Sequence, residues 1–194
     1  MPPTPLTFCS SIAFKEWAAV CAALAAGRQT IILRKGGIAE GAAGFRVAHR
    51  EFWLYPTQFH QAPEALVPAA AADLAQAAAW QPPPGEVHLR LAAQVYEVYE
   101  IATLETAHRL AGLHVWSPAT VEQRFYYRQP GLFLLLVRVH AAAEPLRVPE
   151  TAAMAGCKSW VPLPSPASAA VLPVFDDAAF AAAASAVRAA LERG

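Results

Sequence analysis

Charge is scarce in this chain. Asp, Glu, Lys and Arg make up 15% of its 194 residues, the two signs are equal at 15 each, and the formal net charge is zero. A protein that coats nucleic acid non-specifically carries a clear basic excess, so that class is excluded, whereas a local basic groove is not. Cysteine is scarce too: Cys9, Cys21 and Cys157 are odd in number and match no zinc or redox spacing. That excludes a disulfide framework and leaves reduced thiols in a cytoplasmic protein. Long apolar runs are missing. The longest, Leu132 to Val137, is of strand length and is broken by Arg138, so no membrane span is expected. Residues Met1 to Pro5 have neither a basic region nor an apolar core, so no secretory signal is expected.

Hydrophobic residues are abundant, at 56%, and much of that share is alanine. Each alanine buries little area, so the figure overstates the core. The length suits one domain able to fold without disulfides or metals. Phe14, Trp17, Val20, Cys21 and Leu24 recur at helical spacing, which predicts a first helix over residues 11 to 26 with Lys15 and Glu16 on its solvated face. Gln29 to Leu33 reads as a strand, as do Phe45 to Val47 and Phe52 to Tyr55, with Pro56 as the stop. An alanine-rich helix is expected over 64 to 79. Two strand-like runs, Val87 to Leu91 and Val95 to Ile101, form one bent strand or a hairpin. A helix over 104 to 111 precedes Ser117-Pro118, a cap-plus-proline helix start. Leu132 to Val139 is a strand buried on both faces, and Ser159 to Leu163 is a short last strand. Residues 165 to 173 read as a linker to a helix capped by Asp176 or Asp177. The expected organisation is one domain over 1–164, then a linker and alanine-rich helix over 165–194. Strands come in consecutive pairs, which predicts an α+β fold with a small mixed or antiparallel sheet flanked by helices.

Three polar clusters stand out. Arg34-Lys35-Gly36-Gly37 follows a strand; its glycines let N–H groups face an anion and its cations supply charge, which suits phosphate. The same four residues also make an ordinary solvated turn. Tyr55, Thr57, His60 and Gln61 lie in a varied polar stretch, with groups that bind polar ligands or move protons; His60 is the candidate general acid or base. With His49 it could ligate a metal, but no third ligand sits at a recognisable spacing, so none is expected. Gly156-Cys157-Lys158-Ser159-Trp160 offers either an activated thiol or a buried structural cysteine leading into a strand. Arg124, Arg128 and Arg138 form a basic strip if the helix and strand that carry them are adjacent.

Phe14 to Trp17, Leu33 to Ile38 and Phe52 to Gln61, followed by Val115 to Ser117, Arg124-Phe125, Leu136 to Val139 and Gly156 to Trp160, resemble the pattern of the bacterial domain of unknown function 1802 family. The resemblance covers residues 12 to 163 and implies no activity, cofactor or catalytic residue. A second resemblance is to the PUA-like barrels that include the ASCH domains. Trp17-Ala18, Gly27 to Thr30 and Leu33-Arg34 carry it, with Leu33 where that pattern has glutamate. It implies a barrel that binds RNA or a modified base.

The reading that follows is a nucleic-acid- or nucleotide-binding module. Arg34, Lys35, Gly36 and Gly37 would hold phosphate, Tyr55, Thr57, His60 and Gln61 would read a base, and Arg124 and Arg138 would add charge. RNA, DNA or a nucleotide is the expected partner. A hydrolase of a small phosphorylated substrate, with His60 moving the proton, and a scaffold that docks through its last helix are the alternatives. No cofactor or oligomeric state is legible.

Overall fold

The structure is a computed structural model that describes residues 4–35, 47–58 and 62–192. Its strands are β1 (Leu6–Trp17), β2 (Ile31–Arg34), β3 (Glu51–Thr57), β4 (Glu86–Ile101), β5 (Leu132–Pro149) and β6 (Trp160–Pro173). Its helices are α1 (Ala18–Ala25), α2 (Ala71–Ala79), α3 (Leu104–Arg109), α4 (Pro118–Tyr126) and α5 (Asp177–Glu192).

The six strands run in the order β2-β5-β4-β3-β1-β6, and β5 also pairs with β6. That extra pairing joins β1, β3, β4, β5 and β6 into a closed ring, with β2 as an added strand on β5. β1 and β3 run parallel; the other pairs are antiparallel. This is a mixed α+β architecture in which closure removes most exposed strand edges.

The two-residue period sorts the side chains into two cores. Ala13, Trp53, Tyr55, Leu89 and Val161 fall on the barrel's inner face, while Phe14, Phe52 and Leu54 fall on the outer face against the helices. In β4 the phase changes at a register shift between Leu89 and Leu91, so Leu89 and Ala92 both join the inner core. An extra residue in one strand does this. Trp53 is fully buried, and its indole N–H donates to the Ala167 carbonyl at 3.0 Å, tying β3 to β6 through the interior.

Several expectations are corrected. Residues 11 to 17 belong to β1, and the helix begins only at Ala18. Phe14 and Trp17 fit a helical stripe by spacing, but their aromatic bulk also suits a pleated surface, and sheet pairing with β3 and β6 decides. α1 is buried from Ala18 through Leu24, as a helix apolar on all sides must be. Pro56 does not stop β3, which runs to Thr57. The region from Glu64 starts with two 3-10 turns, and α2 begins at Ala71. The runs 87–91 and 95–101 are parts of one long bent strand. Val47 lies outside any strand, and Phe45 and Arg46 lie outside the described residues.

Residues 165–173, read as a linker, continue β6. They pair with β1 from Ala167↔Ser10 to Val171↔Leu6, and β6 then meets β5 at Val171↔Ala142. α5 follows with its expected acidic cap, Asp176 Oδ1 accepting the Ala179 N–H at 2.7 Å, and packs Phe180, Ala184, Val187 and Ala190 into the outer core.

Candidate functional site

The parallel pair β1/β3 ends in register, Glu16 beside Pro56 and Trp17 beside Thr57. Just past it the chain turns into α1. Alternation along β1 sends Lys15 and Glu16 to opposite faces, and Glu16 goes to the helix side. Its carboxylate is buried rather than solvated: Glu16 is 2% exposed. Oε1 accepts the Trp17 N–H at 2.8 Å, and Oε2 lies 3.4 Å from Nη1 of Arg34. Burying a carboxylate is expensive unless opposite charge and donors meet it, so this residue organises what surrounds it.

Arg34 comes from the end of β2. Its guanidinium donates to Ser159 Oγ at 2.6 Å and to the Lys15 carbonyl at 3.3 Å, and it covers the Phe14 ring at 4.7 Å. Thr57 donates its hydroxyl to the Glu16 carbonyl at 3.2 Å.

The second cation is Arg124 of α4. It lies over Trp116, 3.6 Å from the ring centroid, and 5.5 Å from that of Trp17; the two indoles meet edge to face at 4.7 Å. Burial and the neighbouring Arg34 pull its pKa down to about 10, against the opposing pull of Glu16. Among the described residues no hydrogen bond or ion pair reaches the Arg124 guanidinium, and a guanidinium has five N–H donors to satisfy.

His114, two residues before Trp116, is 6% exposed. The Trp116 backbone N–H donates to His114 Nδ1 at 3.1 Å, so Nδ1 carries no proton. Burial first, and then the Arg124 charge, push its pKa down to about 4. The ring at neutral pH is therefore the neutral tautomer with its proton on Nε2, and that buried N–H has no partner. The loop bearing His114 and Trp116 is firmly held. Gln29 Oε1 accepts the Val115 N–H at 3.1 Å, and Val67 N–H and Ser117 N–H cross-bond this loop to the chain before α2 at 2.9 Å each.

The residues singled out in the sequence distribute as follows. Arg34, Thr57 and Arg124 converge around Glu16. Lys35 anchors the far end of α4: its ammonium donates to the carbonyls of Phe125 (3.0 Å), Gly131 (2.6 Å) and Gln129. Tyr55 faces the barrel interior, where its hydroxyl donates to Glu150 Oε1 at 2.7 Å under the Lys15 ammonium, and burial raises its pKa well above the usual phenol value. Arg138 does not join the cluster. Arg34 lies opposite Phe133, and Arg138 is five positions further along β5, about 17 Å at the usual strand rise; its partners are Asp177 and the Phe180 ring of α5. Gly36, Gly37, His60 and Gln61 lie outside the described residues. Cys157 is exposed, contrary to the structural reading, and Cys21 is the buried thiol.

Sequence reasoning missed Glu16, assigned to a solvated helix face, and His114, which no motif marks. Two shallow clefts lie elsewhere, one of about 470 Å³ between Leu113 and α5 and one of about 550 Å³ beside Arg50 and Tyr96. Neither is lined by Glu16, Arg34 or Arg124.

A family model described as a domain of unknown function, DUF1802, matches residues 13–186. The chain belongs to the DUF1802 family. No curated protein matches this DUF1802 chain. Among solved structures it is similar to the ASCH protein of Zymomonas mobilis, at 12% identity and a TM-score of 0.42 over 90% of this chain and 93% of that one. A tyrosine-to-phenylalanine variant of that protein aligns at 12% identity and a TM-score of 0.45, over 78% of this chain and 88% of the other. In this DUF1802 chain no helix among the described residues is long and apolar enough to cross a membrane.

Proposed function

We propose that this DUF1802 chain is a binding module for nucleic acid or nucleotides, and that its ligand enters at the Glu16–Arg34–Arg124 cluster. The observation that carries the reading is Arg124: a guanidinium stacked on Trp116 at 3.6 Å, with no acceptor among the described residues. A phosphate oxygen is the natural acceptor for an arginine held this way. Arg34, tied to Glu16 and Ser159, adds positive potential beside Arg124. Trp17, which is only partly buried, supplies aromatic surface of the kind on which a base stacks. Lys35 serves the site indirectly by fixing the α4 end. Neutral overall charge fits a module that holds one or two phosphates rather than coating a polyanion.

Tryptophan fluorescence titrated with nucleotides and short single-stranded oligonucleotides tests this. The expected result is saturable binding that falls at least about tenfold in Arg124→Ala, the cost of one charge-assisted hydrogen bond or more. Absence of binding in the wild type, or equal binding in the variant, would contradict it.

A further inference from the structure

Two tyrosines stand out from the surface where α4 ends. Tyr126 is 55% exposed and Tyr127 48%, and they are neighbours in the chain. A single exposed aromatic is ordinary; an adjacent pair on a fixed turn is not. This turn is fixed. The Tyr127 N–H donates to the Arg124 carbonyl at 3.3 Å, the Gln129 N–H to the Tyr127 carbonyl at 2.9 Å and the Gly131 N–H to the Phe125 carbonyl at 3.1 Å. The Lys35 ammonium ties the carbonyls of Phe125, Gln129 and Gly131 together. Between the tyrosines and Gln129, Arg128 takes a φ of +65°, in the left-handed region, and is the one non-glycine residue among those described that does so. That conformation is costly for a residue with a Cβ, and such strain gathers where the side chains on display have a task.

The surroundings say what could lie on this surface. The Arg128 guanidinium is 5.3 Å from the Tyr127 ring centroid and meets no acceptor among the described residues. Arg124 is three residues before Tyr127, roughly 4.5 Å along the helix axis. Lys35 keeps its positive charge while its ammonium donates to neutral carbonyls. Glu122 is the one carboxylate on α4. Phe125 packs edge to face on Tyr126, with centroids 5.1 Å apart, so that ring is backed from within the fold. Aromatic faces set among cations suit a ligand with stacking rings and an anionic backbone. Tyrosine has few rotamers to lose, so a pair on a clamped turn makes contact at small entropic cost. A single nucleotide at Arg124 needs no such second surface; a chain that runs on from it does.

Building on the binding reading above, we infer that Tyr126 and Tyr127 form a stacking platform for single-stranded nucleic acid, with Arg128 on its phosphate backbone, so that the ligand is an oligonucleotide running from Arg124 over the end of α4.

The test is a pair of calorimetric titrations at fixed low ionic strength, with adenosine 5′-monophosphate and a single-stranded hexa-adenylate as probes. The wild type should bind the hexa-adenylate more tightly than the monophosphate by at least about tenfold, the yield of one stacked base. In the double variant Tyr126→Ala with Tyr127→Ala, hexa-adenylate binding should weaken about tenfold while monophosphate binding stays at the wild-type value. Phenylalanine at both positions keeps the stacking faces and should keep the wild-type affinity. Arg128→Gly, which suits a φ of +65°, should melt no lower than the wild type and bind the hexa-adenylate more weakly. If the wild type binds neither probe, the nucleotide reading falls and this inference with it. If the wild type binds the two probes equally, or if the alanine pair binds the hexa-adenylate as the wild type does or loses both probes alike, the inference falls and the nucleotide reading stands. Should the alanine pair fail to fold, Arg128→Gly decides: hexa-adenylate binding equal to the wild type's overturns the inference, and weaker binding in a protein of undiminished stability upholds it.

Discussion

At the scale of single residues the account rests on Glu16, a carboxylate that faces Arg34 and draws on Arg124 from inside the fold. Glu16→Gln keeps the hydrogen bond from Trp17 N–H but leaves both guanidinium groups without that counter-charge. It should cost about 3 kcal/mol, the low end for breaking a buried pair, because Arg34 stays partly solvated and keeps Ser159. Urea unfolding measures it. Arg124→Met should behave in the opposite way. Removing a desolvated charge and keeping an apolar stem over Trp116 should leave the unfolding midpoint unchanged or raise it, while ligand affinity falls. A residue held for binding at the expense of stability gives that pair of results; a structural residue loses stability first. His114 adds a pH signature. Its folded pKa, about 4, lies below the unfolded value near 6.5, so the unfolded state binds the extra proton. The stability is intact above pH 6.5 and is lost as pH falls towards 4, by on the order of 3 kcal/mol. His114→Gln should flatten that part of the stability–pH curve, and a curve with an unchanged slope would contradict the buried neutral ring.

At the scale of elements, α4 is the part that carries Arg124, and Lys35 holds its end. Three carbonyls around one ammonium form a C-terminal cap made in trans, from the residue after β2. Lys35→Met should lower stability by about 1–2 kcal/mol and speed hydrogen exchange in the last turn of α4, with a smaller loss of affinity than at Arg124. Local signals made some elements legible in the sequence. Ser117-Pro118 starts α4, with Ser117 Oγ accepting the Thr120 N–H at 3.3 Å, and Asp176 caps α5, because caps act over three residues and need no distant partner. β1 and β6 were not legible. The apolar spacing in β1 satisfies a helix as well as a strand, and only pairing with β3 and β6 separates them. In β6, Pro162, Pro164 and Pro166 argue for a linker. Yet all three share the exposed phase of the two-residue period, and Val161, Leu163 and Ala167 share the buried one. The site followed the same division. Arg34, Thr57 and Arg124 stood out as polar groups in an apolar chain. Glu16 was hidden by the wrong period, and His114 acquires meaning only from the Trp116 backbone and Arg124, which no spacing encodes.

At the scale of the whole molecule, the pairings of β6 with β1 and β5 close the barrel, and α5 seals the outer core. The last thirty residues are therefore structural. Truncation after Pro164 removes the β1 pairings from Ala167 to Val171 and exposes Phe180's and Val187's partners, so the shortened chain should lose its cooperative thermal transition. A truncated chain that still melts cooperatively would contradict a closed barrel as the stable unit. The same closure positions the site, because Glu16 and Thr57 occupy the ends of neighbouring strands while Arg34, Ser159, His114 and Arg124 reach in from β2, the loop before β6, the loop before α4 and α4 itself. The central claim is that this arrangement holds a phosphate through Arg124. The most direct measurement is the affinity of wild type and Arg124→Met for one short single-stranded oligonucleotide at low ionic strength, with the melting midpoint of each protein recorded alongside. The account predicts at least about a tenfold weaker complex in a variant that is no less stable. Equal affinity in the two proteins, or no binding by the wild type, would contradict it.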